Sequence, residues 1–188
     1  VPGGYSFWDL HVAIQDAMGW FDSHLHEFRI NNPEGGSVQR IGIPDDEFDD
    51  EEPTLAGWDL KISDYFSLEN TSASYTYDFG DNWQHTITLK DVLERTPRLR
   101  YPRCVGGARA CPPEDCGGIW GYEEFLEAIQ EPAHEEHESM LEWVGGRFGA
   151  EDFDANTPGS LQIRTFENGG FGFPHPRFSS SASGAIST

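Results

Sequence analysis

The chain has 188 residues, 37% of them hydrophobic, which is enough for one domain with a buried core and too little for two full-sized ones. Thirty-three acidic residues against 12 basic ones leave a formal net charge of −21, which argues against a protein that wraps nucleic acid, because neutralising phosphates needs clustered Lys and Arg. No apolar run approaches the roughly 20 residues needed to span a bilayer, so no membrane association is expected. The three cysteines cannot all pair with one another and no leader pattern accompanies them, so the expectation is a soluble protein of the reducing cytoplasm, not a secreted disulfide scaffold.

Residues 5–19 carry start and stop signals for a helix. Ser6 is a candidate N-cap with Asp9 at the third helical position, Tyr5 and Leu10 are spaced for a hydrophobic staple, and Gly19 supplies the stop. Leu10, Ile14 and Met18 recur every fourth residue and predict the buried stripe. A strand is predicted over 24–30, with His24, His26, Phe28 and Ile30 on one face. Beyond a turn at 31–36, the run Asp45-Asp-Glu-Phe-Asp-Asp-Glu-Glu52 lies between Pro44 and Pro53 and reads as an exposed, mobile loop.

A β-hairpin is predicted over 73–89. Ala73, Tyr75, Tyr77 and Phe79 alternate with small polar residues, Gly80-Asp81-Asn82 turns the chain, and Trp83, His85, Ile87 and Leu89 resume the alternation. All three cysteines then fall in one Pro- and Gly-rich loop, Cys104 to Gly118. A helix follows over 121–130, and Pro132 opens a second one that runs to Val144, before Gly145-Gly146. The elements predict an α+β domain over residues 1–157: a largely antiparallel sheet, with an N-terminal core helix and a C-terminal helix pair packed on it. Residues 158–188 are Gly/Ser/Pro-rich and predict a flexible tail.

Several motifs in this order carry a resemblance: Ala17-Met-Gly-Trp20, Ser23-His-Leu-His-Glu-Phe28, Tyr75-Thr-Tyr-Asp-Phe-Gly-Asp-Asn-Trp-Gln-His85, Cys111-Pro-Pro-Glu-Asp-Cys-Gly-Gly118 and Gly121-Tyr-Glu-Glu-Phe125. Together with the segment 134–146 they resemble the plasmid pRiA4b ORF-3-like family, also labelled TnpR among transposon passenger proteins. The resemblance covers about residues 1–156 and implies a bacterial or archaeal protein from a mobile-element context, of unsettled biochemical role. A resolvase reading of that label finds no support, because the chain has neither a nucleophilic Ser amid arginines nor a basic DNA-binding tail. The resemblance also implies an opening β-hairpin ahead of Val1-Pro2, which this sequence does not show.

The leading site candidate is a structural zinc centre on Cys104, Cys111 and Cys116 with His85 as fourth ligand. The spacing C-x6-C-x4-C lets one loop present three thiolates, and a neutral imidazole completes a tetrahedron. His134 and His137, three apart, are alternative fourth ligands, although they do not form the His-Glu-x-x-His protease motif. A lone His on an apolar strand face is more often a packed, hydrogen-bonded residue, and the same holds for His24 and His26. A hydrolytic reading gathers Asp78, Asp81, Glu114 and Asp115 with His85 around magnesium or manganese, yet the same residues are ordinary turn and cap chemistry. Of the aromatic residues, Trp20, Tyr75, Tyr77, Trp83, Trp120 and Trp143 become evidence of a recognition surface only if several prove exposed together. The functional expectation is a non-catalytic accessory or interaction protein with an unidentified protein partner, its cysteine loop acting as a clasp. A metal-dependent hydrolase of nucleic acid is the runner-up, and an acidic DNA mimic comes third.

Overall fold

A computed structural model of the chain describes residues 1–44 and 53–155. The acidic run at 45–52 and the tail at 158–188 lie outside the described residues.

Helix α1 (Phe7–Met18) starts where its signals place it. The Ser6 hydroxyl accepts from the Asp9 N–H (3.1 Å) and the Asp9 carboxylate accepts from the Ser6 N–H (2.8 Å), a reciprocal capping box. It stops at Gly19, whose left-handed backbone (φ 79°) lets its N–H reach the Gln15 carbonyl. The buried face differs from the expected stripe. Phe7, Leu10, His11 and Gln15 are buried, while Ile14 and Met18 are only partly so. Two polar side chains can lie inside because both bond to the Tyr75 hydroxyl.

Five strands follow: β1 (His26–Asn31), β2 (Val38–Gly42), β3 (Leu55–Ala56), β4 (Ser72–Tyr77) and β5 (Trp83–Thr88). They lie in the order β3-β2-β1-β4-β5, antiparallel throughout except for the parallel β2/β3 pair. Phe28 faces Tyr75 across β1/β4, and Tyr75 faces His85 across β4/β5. The short helix α2 (Ile62–Tyr65) lies between β3 and β4 and buries Ile62. The inner sheet face presents Phe28, Ile30, Ile41, Ala73, Tyr75 and Tyr77 to α1, with Phe7 edge-on to Phe28 at 5.2 Å. On the opposite face Glu27 is also buried, held by Arg29 (2.5 Å) and Arg40 (2.6 Å).

Two strand boundaries depart from expectation. Strand β1 begins at His26, which leaves His24 on the approach to the sheet. β4 ends at Tyr77 because Asp78 adopts a left-handed backbone (φ 52°) and turns the chain, so Phe79 is 56% exposed instead of lying on the inner face. The helical region comprises α3 (Gly118–Gln130) and α4 (His137–Trp143). Residues 132–136 are turns, not the first turn of α4, since the His134 N–H bonds Glu131 and the His137 N–H bonds His134. α3 and α4 meet around Phe125, which packs edge-on against Trp143 and Phe148, and the His137 ring donates through Nδ1 to the Ala128 carbonyl (2.9 Å). The fold is α+β with a mostly antiparallel sheet.

Candidate functional site

The end of the sheet at which β1 enters, β4 leaves and β5 begins is closed by the loop that precedes α3. Each residue of that loop from Pro112 to Gly118, Pro113 and Cys116 apart, has a named hold on the sheet or on the segment after α1. The Trp20 indole donates to the Pro112 carbonyl (3.0 Å). Glu114 accepts from the Phe21 N–H with one oxygen and from the Tyr77 hydroxyl with the other, and Tyr77 accepts in turn from the Ser23 N–H (3.0 Å). The Gly117 N–H donates to Asp81 in the β4–β5 turn (3.1 Å). Gly118 sits so close that a Cβ there would lie 2.6 Å from the Asp81 carbonyl oxygen, and its φ of 68° is itself glycine territory. Net contributions of about 0.5–1.5 kcal/mol per hydrogen bond, and more where a carboxylate takes part, make this knot firm without a covalent link.

At its centre His24 Nε2 lies 2.7 Å from Asp115 Oδ1 and 3.6 Å from Asp78 Oδ2. One ligand atom from each of these three residues lies within 4.8 Å of the others. Asp78 is nearly buried and its other oxygen accepts from the Gly80 N–H (2.9 Å), whereas Asp115 stands largely in water. Burial pulls the His24 pKa down, but the hydrogen bond to Asp115 and the fields of Asp78, Asp115 and Glu114 outweigh it, so the imidazole titrates above its usual value.

The expected zinc ligands are placed differently. Cys104, Cys111 and His85 border one open cavity of about 1120 Å3 beside the C-terminal end of α1. The three thiols are free. Among the described residues they do not join His85, His134 or His137 in a group whose ligand atoms all lie within 4.8 Å; His24, Asp78 and Asp115 form the group that does. Burial, with Cys116 and Glu114 nearby, pushes Cys111 up to about 12, and burial with Asp81 pushes Cys116 up to about 11. Both are thiols, not thiolates, at neutral pH. His85 is packed edge-on to Trp20 at 5.6 Å and is held below its usual pKa by burial. His134 accepts from the Glu136 N–H, and His137 is committed to α3.

Of the hydrolytic set, the structure brings Asp78 and Asp115 together, ties Glu114 and Asp81 to neighbouring donors, and leaves His85 among aromatic rings. His24, not His85, meets the carboxylates of the hydrolytic set. The alternation of 24, 26, 28 and 30 did put His24 on the inner side, but nothing in the sequence linked it with a residue 91 positions away. Around the knot several apolar side chains face water: Phe21 (63% exposed), Leu25 (51%), Phe79 (56%) and Ile119 (60%), with Trp120 next to the last.

The fold and this knot define a small α+β domain whose pre-helical loop is locked onto the open end of an antiparallel sheet. The chain belongs to the plasmid pRiA4b ORF-3-like protein family, whose model matches residues 1–157. It is 39% identical over 157 residues to the uncharacterized protein y4hQ of Sinorhizobium fredii, covering 82% of this chain and 73% of that one. The crystal structure of a protein of unknown function, MM3350 from Methanosarcina mazei Go1, is similar at 47% identity with a TM-score of 0.76, over 84% of this chain and 85% of the other. No helix among the described residues is long and apolar enough to cross a membrane.

Proposed function

We propose that this protein is a non-catalytic interaction domain of a mobile-element accessory protein, which presents the knotted surface around Pro112–Ile119 to a protein partner. The observation that carries the reading is the exposure of Phe21, Leu25, Phe79 and Ile119 around a loop held on several sides, since firmly held apolar side chains lose little entropy on binding. Trp120 and Trp143 are also exposed, whereas Trp20, Tyr75 and Tyr77 are core. With a net charge of −21, the partner surface that fits is apolar at its centre and basic at its rim. The ties on Glu114 and Asp81 favour this reading over a hydrolase, because carboxylates committed to holding a loop do not serve a reacting water.

Capture from the host with the full chain, compared with the variant Phe79→Ser/Ile119→Ser, tests this. A partner bound by the first and lost by the second, with the variant's melting temperature unchanged, is the expected result. Equal capture by both would remove the surface from the function.

A second reading keeps zinc on Cys104, Cys111 and Cys116 with His85, supported by three of these four bordering one cavity. About one zinc per chain after purification without added metal, lost in Cys111→Ser, is its signature. Three freely titrating thiols with no zinc would end it.

A further inference from the structure

Independently of the partner surface, we propose that the chain binds single-stranded nucleic acid, its phosphates on the arginines of residues 98–103 and an unpaired base in the open cavity beside α1. The charge of the molecule is uneven. Six of its 12 basic residues fall within residues 90–109, against two acidic ones, in a protein of net charge −21. Arg98, Arg100 and Arg103 are exposed and have no ion pair among the described residues. A guanidinium offers a planar fork of donors that fits a phosphate and is more weakly hydrated than an ammonium. The net charge opposes wrapping over a whole surface. At physiological salt, however, exposed charges more than about 8 Å apart are largely screened, so a phosphate on this segment meets the local excess and not the total.

The basic segment leads into the cavity. The Tyr101 carbonyl accepts from the Tyr5 hydroxyl (3.3 Å), just ahead of α1, and Cys104, one residue beyond Arg103, borders the cavity at the other end of that helix. Trp143 and Phe153 line this space of about 1120 Å3 while 48% and 41% exposed, so each leaves ring surface free for stacking.

The lining separates the two parts of a nucleotide. The arginines of the cavity are already used, Arg109 by Glu151 (3.0 Å) and Arg147 by Asp152 (3.1 Å). Carboxylates of Glu114, Asp152 and Asp154 border the same space and repel a phosphate. A flat, uncharged base fits there, and the backbone stays outside on the free arginines. An electrostatic track beside an aromatic platform is the chemistry of single-strand binding, and it tolerates any sequence because every base has a stacking face. A duplex keeps its bases stacked inside and offers none to the cavity, while an acidic peptide supplies charge without a ring.

The full chain is titrated into fluorescein-labelled oligothymidylate and oligouridylate of about 12 nucleotides, a length within the site sizes of single-strand binders, and anisotropy is followed. Saturable binding of either oligomer is expected, with the logarithm of the affinity falling against that of the salt concentration at a slope of about −2, the value for three phosphates neutralised on a single strand. Arg98→Ala/Arg100→Ala/Arg103→Ala, a set of surface changes that leaves the melting temperature intact, removes most of that slope. Phe153→Leu and Trp143→Leu, which keep an apolar side chain without the ring face, each weaken binding by at least about fivefold and leave the slope unchanged. The proposal is overturned by the absence of saturable binding, or by an arginine variant that binds equally well with the same slope. It is equally overturned if a duplex of the same length or polyglutamate binds as tightly as the single strands, which makes the segment a docking patch for anions in general or for acidic protein.

Discussion

The Tyr75 hydroxyl is completely buried and has two partners, the Gln15 amide at 3.0 Å and His11 Nδ1 at 2.8 Å. Because Gln15 donates to the oxygen, the phenolic proton goes to His11, whose other nitrogen then donates to Asp22 at 2.7 Å; the tautomer is assigned from this network. Tyr75→Phe keeps the ring and strands both partners, so it is expected to cost about 1–3 kcal/mol in urea unfolding. A loss well below that range would show that the hydroxyl is idle. His26 lies beside this network, its ring stacked on that of His11 at 3.5 Å, with both nitrogens buried and lacking a hydrogen-bond partner. Burial, and secondarily the neighbouring His11, lowers its pKa from 6.5 to about 2. Since the folded value is the lower one, the neutral ring's contribution is full above the unfolded pKa of 6.5 and is lost as the pH falls, by up to about 1.4 kcal/mol per pH unit. His26→Phe should therefore flatten the acid limb of the stability curve between about pH 6 and pH 4. An unaltered slope would assign acid sensitivity to other groups.

At the scale of elements, the loop before α3 joins the helical pair to the end of the sheet. Gly118 is its tightest point. Gly118→Ala adds a methyl at a backbone angle of 68° and against the Asp81 carbonyl, and is expected to destabilise by more than about 1 kcal/mol. Faster hydrogen exchange at the Gly117 amide, whose bond to Asp81 is the next one along, is the local readout. Unchanged exchange there would show that the loop is held from elsewhere. The loop that the cysteines marked is held to the end of the sheet by contacts of Glu114, Asp115 and Gly117.

Over the whole molecule, the proposed partner binding is expected to be steered by the excess negative charge and held by the apolar collar. Partner binding through Phe79 and Ile119 should accordingly slow in onset as salt rises toward 1 M, where the screening length falls to about 3 Å, while dissociation changes little. Insensitivity of the on-rate to salt would leave the charge with no role in recognition.

What the chain declared about itself was local. The Ser6/Asp9 cap, the Gly19 stop and the alternation over Ala73–Tyr77 and Trp83–Thr88 were legible because each depends on residues a few positions apart, and the separate family motifs pointed to the family that the match over residues 1–157 bears out. Tertiary structure alone decided which histidine meets the carboxylates, why His11 and Gln15 lie inside, and that β3 runs parallel to β2. Those outcomes join residues as far apart as His24 and Asp115, and periodicity carries no information about which distant hydrogen-bonding groups must meet once water is excluded.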